Sequence, residues 1–206
     1  MVAVIDYGVG NLFSLGSSLA AIGADFIITS NANEIRKADK IILPGVGAFA
    51  DAIAKLRALG LDEIIKDEAA KGKHILGICL GMQLLFEKSY EYGEHKGLGL
   101  LEGQVVSMQG VIPTELKIPH IGWNFLEIKK EHSIFKYVKQ GDYVYFVHSY
   151  YAEKCNQSLL ATTEYGSELT AAVALGNITG TQFHPEKSGD VGLGILKAFC
   201  EWRYDK

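Results

Sequence analysis

The sequence predicts an α/β fold: a single three-layer domain with a mixed, mainly parallel central sheet flanked by helices, plus antiparallel strands in the C-terminal half. Three observations predict it. Through the first 88 residues, short apolar runs alternate with segments of helical period, an order that builds parallel strands covered on both faces. From residue 99 on, strand-like runs follow one another closely enough for hairpins or a meander. The 206 residues suffice for one sizeable core, read as a domain over 1–206 without linker, repeat or low-complexity tract.

The elements follow in order. Residues 2–6 form a short apolar run, a buried strand. Asn11 is placed to cap a helix in which Leu12, Leu15, Leu19 and Ile22 recur at helical spacing. Residues 26–29 and 40–43 are the second and third strands, the latter ended by Pro44. Helices are expected over 49–59 and 61–71, a buried strand over 74–78 and a helix over 80–88. Strands are then expected over 99–108, 120–128, 143–151, 159–164, 171–175 and 178–183. A last helix begins near Asp190 and carries Ile195, Leu196, Phe199 and Trp202.

Composition excludes several classes. The net charge of −4, with no basic stretch, argues against a partner held through phosphate contacts, so no nucleic acid is expected. The apolar runs are strand-sized, so no membrane span is expected. The opening MVAVIDYG lacks the basic start and long apolar run of a signal peptide. Three cysteines, Cys79, Cys155 and Cys200, make a poor disulfide framework and suit a reducing cytoplasm. His74, His95, His120, His132 and His148 do not stand with Cys, Asp or Glu at metal-ligand spacing; no metal and no cofactor are expected.

Cys79 lies in Gly77-Ile78-Cys79-Leu80-Gly81, the spacing of a nucleophile elbow with Cys in place of Ser. A strand turns sharply into a helix there, and glycines two residues either side leave room for the crossing. The sulfur is directed above the carboxyl edge of the sheet, where open α/β sheets bind ligands. Helix N-termini and neighbouring histidines favour a thiolate. The N–H of Leu80 is aimed as an oxyanion donor. Taken alone, the pattern equally fits a small structural cysteine between two glycines.

His184-Pro185-Glu186 supplies the missing partners. In an extended segment, residues two apart face the same way, so Glu186 can orient the imidazole and His184 can exchange a proton with Cys79. This requires the strand before His184 to run parallel beside that of Cys79. A lone His-Pro-Glu is as well a surface turn; the two signals together favour catalysis. Gln83 lies one helical turn after Cys79 and faces the same pocket. In Pro44-Gly45-Val46-Gly47, glycines flank Val46, and one peptide unit can flip there at low steric cost.

Three segments together, Pro44-Gly45-Val46-Gly47-Ala48-Phe49, the elbow through Gln83, and Gln182 to Ser188 with His-Pro-Glu-Lys-Ser, resemble the class I (triad) glutamine amidotransferases. More narrowly, Asp6-Tyr7-Gly8-Val9-Gly10-Asn11, Pro119-His120-Ile121-Gly122-Trp123-Asn124 and Tyr145-Phe146-Val147-His148-Ser149-Tyr150 resemble glutaminase subunits of imidazole glycerol phosphate synthase, in the histidine pathway. The likeness covers essentially the whole chain. It implies a Cys79–His184–Glu186 triad that hydrolyses glutamine through a thioester and passes ammonia to a separate (βα)₈-barrel cyclase. It implies a second oxyanion donor at Val46, supplied only after the loop reorganises, so that the lone chain is nearly inactive. It assigns glutamine's charged end to Gly47, Gln83, Glu91 and the backbone at Ser149 and Tyr150. Asn11, Trp123, Tyr145 and Lys187 match cyclase-facing positions, although Trp123 also reads as a core aromatic in a strand. Gly189 departs from the family, where glutamine is common. The alternatives are a paralogue serving another synthase, such as one of a surface-sugar pathway, a non-catalytic regulatory subunit, and a cysteine peptidase on a similar sheet.

Overall fold

The computed structural model describes residues 1–202; residues 203–206, the end of the expected domain, lie outside them. The first half runs β1 (Val2–Ile5), α1 (Leu12–Ala21), β2 (Phe26–Thr29), α2 (Ala32–Lys37), β3 (Lys40–Leu43), α3 (Phe49–Ala58), α4 (Leu61–Ala70), β4 (His74–Ile78) and α5 (Leu80–Leu84). The second half follows with β5 (Phe86–Ser89), β6 (His95–Lys96), β7 (Leu101–Ser107), β8 (His120–Phe125), β9 (Glu127–Ile128), β10 (Tyr143–His148), β11 (Tyr150–Glu153), β12 (Leu159–Glu164), β13 (Glu168–Leu175), β14 (Ile178–Thr181) and α6 (Gly189–Glu201).

The main sheet has the order β2-β1-β3-β4-β14-β13-β12-β9. Its first five strands are parallel and the last three join antiparallel, as expected from the sequence. Both faces are covered, which is why the parallel strands read as unbroken apolar runs. Alternate residues serve the two faces: Ala3, Ile5, Ile41, Leu43 and Ile75 pack under α2, α3 and α4 with Phe49, Leu56 and Ile65. Val2, Val4, Ile42, Leu76 and Ile78 pack under α1 and α6 with Leu15, Leu19, Ile195 and Phe199. Each such large side chain contributes about 1.5–3 kcal/mol on burial. Lys40 breaks the apolar pattern for a reason: its buried ammonium donates to the Phe199 and Cys200 carbonyls at 2.7 and 2.6 Å, closing the end of α6.

Four expectations need correction. The helix expected over 80–88 stops at Leu84, and β5 follows. The run Leu84-Leu85-Phe86 suits either period, and a later segment decides it. The N–H groups of Leu98, Leu101 and Gly99 take the carbonyls of Leu84, Leu85 and Phe86 that a longer helix would have used. Gly97 permits this approach, since a Cβ there would stand 2.2 Å from the Phe86 oxygen. The strand expected over 143–151 breaks at Ser149 into β10, paired with β8, and β11, paired with β7 in a separate four-stranded sheet. The strand expected over 120–128 likewise divides at Leu126, and 178–183 ends at Thr181. Helix α2, capped by the Asn31 side chain on the N–H of Asn33 at 2.9 Å, was too short to leave a periodic signal.

Candidate active site

The carboxyl ends of β4 and β14 bring the chemistry together. The two strands pair in parallel, Ile78 opposite Thr181, and the N–H of Cys79 donates to the Thr181 carbonyl at 2.7 Å. The expected adjacency is therefore met. Cys79 caps α5 with φ 54° and ψ −111°, a left-handed backbone that costs a non-glycine residue about 1–3 kcal/mol. The flanking glycines are required by close packing. A Cβ on Gly81 would stand 1.8 Å from the Leu43 oxygen of β3, and one on Gly77 would stand 2.7 Å from the Gly81 oxygen. The elbow is thus clamped against the neighbouring strand.

His184 and Glu186 meet, with Nδ1 2.8 Å from a carboxylate oxygen and both side chains buried. The geometry behind this pairing differs from the expected extended segment: Pro185–Lys187 forms a 3-10 turn. The turn is held by the Ser188 hydroxyl, which donates to the His184 carbonyl at 2.6 Å and accepts from the N–H of Tyr145 at 2.9 Å. His184 Nε2 is buried without a hydrogen-bond partner, the atom left open for proton exchange. Burial pushes the imidazole toward the neutral form, but Cys79 and then Glu186 outweigh it and raise its pKa to about 10.

A cavity of about 880 Å³ opens over the sulfur. Cys79, Leu80, Val46, Gly47, Gln83, Glu91, Ser149, Tyr150 and His184 all line it, which brings together the residues expected to bind glutamine and the oxyanion. Leu80 is the first residue of α5, so its N–H has no acceptor within the helix. Val46 is exposed and Gly47 has φ +94°, a conformation open to glycine. The loop is anchored at its start by the buried Tyr7 hydroxyl, which donates to the Pro44 carbonyl at 2.7 Å. At its end, a Glu91 carboxylate oxygen accepts from the N–H of Phe49 at 2.5 Å, so this glutamate braces α3 as well as lining the cavity. Gln83 donates to the Tyr150 carbonyl at 3.1 Å and to the Gln182 side chain at 3.0 Å.

Of the expected partner-facing residues, Trp123, Tyr145 and Lys187 lie together. Trp123 is 55% exposed, which rules out the core alternative, and stands edge-on to Tyr145 at 6.2 Å. The Lys187 ammonium lies 5.8 Å from the centre of the Tyr145 ring. Asn11, on the loop leaving β1 at the same sheet edge, accepts from the N–H of Ser14 and so serves first as a helix cap. Gly189 has φ +56°, and a Cβ there would lie 3.8 Å from Trp123, so it belongs to this rim.

Three polar residues escaped the sequence reading. Gln182 is fully buried with its amide nitrogen 3.7 Å from the Cys79 sulfur. His120 and His148, opposite each other in the β8–β10 register, join Nδ1 to Nε2 at 3.2 Å, and His148 Nδ1 meets the Tyr150 carbonyl at 2.9 Å. Both histidines stand in segments that carry the family resemblance, but their pairing became visible only with register.

Burial lowers the pKa of His148 to about 3 and that of His120 to about 4; burial, then Lys40 and His132, lower His74 to about 4. Each is neutral when folded but takes up a proton in the unfolded chain, whose histidines titrate near 6.5. Their stabilising contribution is complete above that value and is lost as pH falls toward about 4. His184 runs oppositely: its contribution is complete below the unfolded value and is lost toward about 10, so the two trends overlap only around the unfolded value. Burial lowers His132 as well, and at about 1.4 kcal/mol per net proton and pH unit unfolding free energy should drop by a few kcal/mol between pH 7.5 and 5.5. Denaturant titrations at the two pH values check this, and an unchanged midpoint contradicts it.

The chain matches the family model "Glutamine amidotransferase class-I" over residues 3–201. It is 52% identical over 202 residues to the imidazole glycerol phosphate synthase subunit HisH of Caldanaerobacter subterraneus, covering 98% of each chain. It is 50% identical over 202 residues to that of Oceanobacillus iheyensis, again covering 98% of each. Among solved structures, a crystal structure of a glutamine amidotransferase superposes with TM-score 0.74 at 19% identity, over 96% of this chain and 99% of that one. That likeness concerns the fold.

Proposed function

The chain belongs to the class I glutamine amidotransferase family, and from that premise we propose that it is the glutaminase subunit of an imidazole glycerol phosphate synthase in histidine biosynthesis. In this reading one amidotransferase domain spans residues 1–206. The reading rests on one observation above the others: Cys79 at the end of β4 lies beside the buried His184–Glu186 pair at the end of β14.

In the proposed reaction the Cys79 thiolate attacks the side-chain carbonyl carbon of glutamine. The N–H groups of Leu80 and Val46 take the developing oxyanion, each worth about 10²–10³ in rate once aligned. Val46 reaches that alignment after its loop reorganises; Gly47 at φ +94° gives the loop that freedom. His184, protonated at Nε2 and oriented by Glu186, gives its proton to the departing nitrogen, and ammonia leaves. A water then attacks the thioester while His184 accepts its proton, releasing glutamate and restoring the thiolate. Glutamine's charged end is held by Gly47, Gln83, Glu91 and the backbone at Ser149 and Tyr150, which line one cavity.

Ammonia passes to a second subunit, for which we take a (βα)₈-barrel cyclase. Asn11, Trp123, Tyr145 and Lys187 form the proposed docking rim, supported by the exposure of Trp123 beside Tyr145. An exposed aromatic with a nearby cation suits an interface anchor. A cytoplasmic setting is supported by three unpaired cysteines, Cys79, Cys155 and Cys200. Among the described residues no helix is long and apolar enough to cross a membrane.

The test is covalent. A glutamine-mimicking electrophile added to the protein with its cyclase is expected to modify Cys79 stoichiometrically, with Cys155 and Cys200 untouched by peptide mass spectrometry. Glutamine should protect against it. Modification elsewhere, or none, rejects Cys79 as the nucleophile.

A further inference from the structure

Behind the nucleophile, the buried side chains of Gln182, Gln83 and His148 are joined to one another through a single backbone carbonyl, that of Tyr150. We propose that Gln182 is a further catalytic residue, an amide N–H donor to the Cys79 thiolate, held in its donating orientation through Gln83 by the Tyr150 carbonyl. The inference rests on Cys79 being the nucleophile.

The polarity of the line follows from the carbonyl, which accepts and never donates. Gln83 therefore turns its NH₂ toward the Tyr150 oxygen, 3.1 Å away. Its second N–H then points to Gln182 at 3.0 Å, and Gln182 must answer with its own oxygen. The Gln182 NH₂ is left facing the sulfur at 3.7 Å. Turning Gln182 over would set two NH₂ groups face to face and an oxygen against the sulfur. Turning Gln83 over would set two oxygens together at Tyr150. Only one arrangement satisfies every contact. His148 completes it from the other side, since its Nδ1 must also carry a hydrogen toward the same carbonyl, 2.9 Å away.

This matters because, beside His184, the sulfur has two polar neighbours that do not titrate. The Val147 carbonyl, 4.0 Å away, accepts a hydrogen from the thiol and so favours the protonated form. The Gln182 N–H favours the thiolate, and with Gln182 fully buried no solvent competes for it. The donor acts twice: it stabilises the attacking thiolate, and again the thiolate expelled when water opens the thioester. The titratable groups facing the sulfur are His184, backed by Glu186, and the buried Tyr7. Gln182 adds a fixed donor that does not titrate.

The experiment follows iodoacetamide alkylation of Cys79 in the full-length protein from pH 5 to 10 by peptide mass spectrometry, in wild type, Gln182→Met and Gln83→Glu. Methionine conserves volume and removes the donor. A hydrogen bond to a charged group is worth about 10–100-fold, so Gln182→Met should alkylate slower by that factor near pH 7 and approach the wild-type rate at high pH. Gln83→Glu leaves Gln182 in place but draws its NH₂ toward the new carboxylate, so the same pH-dependent loss is expected. It also serves if circular dichroism finds Gln182→Met unfolded. A wild-type rate near pH 7 in the folded variants, or a loss equal at every pH, overturns the proposal. Failure of wild-type Cys79 to react with the glutamine mimic would instead sink the nucleophile assignment, a separate result.

Discussion

Cys79→Ala is expected to lower glutamine-driven synthesis in the complex with the proposed cyclase subunit by about 10⁴-fold or more, the scale on which essential nucleophiles act. Ammonium salt should still support synthesis at the wild-type rate. The asymmetry has a physical source. In the proposed reaction the glutamyl adduct forms on the sulfur, and no other cysteine lines the cavity among the described residues. Alanine is smaller than cysteine, the site is 7% exposed, and the strained φ of 54° costs alanine about what it costs cysteine. The fold and the Trp123–Tyr145 rim should therefore survive, and with them the partner's use of free ammonia. Steady-state assays with glutamine or ammonium chloride check both halves. Loss of both activities would mean that the division of labour between subunits is wrong.

Gly81→Ala is expected to be the most damaging single-methyl change in the elbow. The added Cβ would stand 1.8 Å from the Leu43 oxygen and 3.2 Å from the Pro44 carbonyl carbon, both backbone and unable to rotate away. Either α5 lifts off β3 or the Leu43–Pro44 peptide moves, at a cost of about 3 kcal/mol. Both routes displace parts of the proposed catalytic site, the first Cys79 and the Leu80 N–H, the second the Val46 loop. A shift of about 1 Å costs on the order of 10² in rate. Denaturant midpoints and glutamine turnover in the complex measure the two effects. A variant with wild-type stability and turnover would show that the elbow is looser than its packing implies.

How the site could be read from residues alone differed from one part to another. Cys79 between Gly77 and Gly81 was legible because its backbone geometry demands glycine at fixed offsets. His184 and Glu186 were legible as a pair, although their approach comes from a 3-10 turn and not from strand alternation. Gln182 was hidden in plain view two residues before His184. An amide gives no local signal of which atom it meets, and its partners Gln83 and Cys79 lie about a hundred residues earlier. His120 and His148 looked idle for the same reason.

The parallel core, the two-faced burial of its strands and the glycine-flanked elbow at Cys79 were determined by the sequence. Each depends on spacing within a short segment, where backbone geometry is local. Tertiary structure alone decided that helix α5 ends at Leu84, that residues 143–153 serve two sheets, and which way the buried amides and imidazoles point. Those outcomes turn on carbonyls and donors supplied from distant strands, and a hydrogen bond has no direction until its second partner is in position.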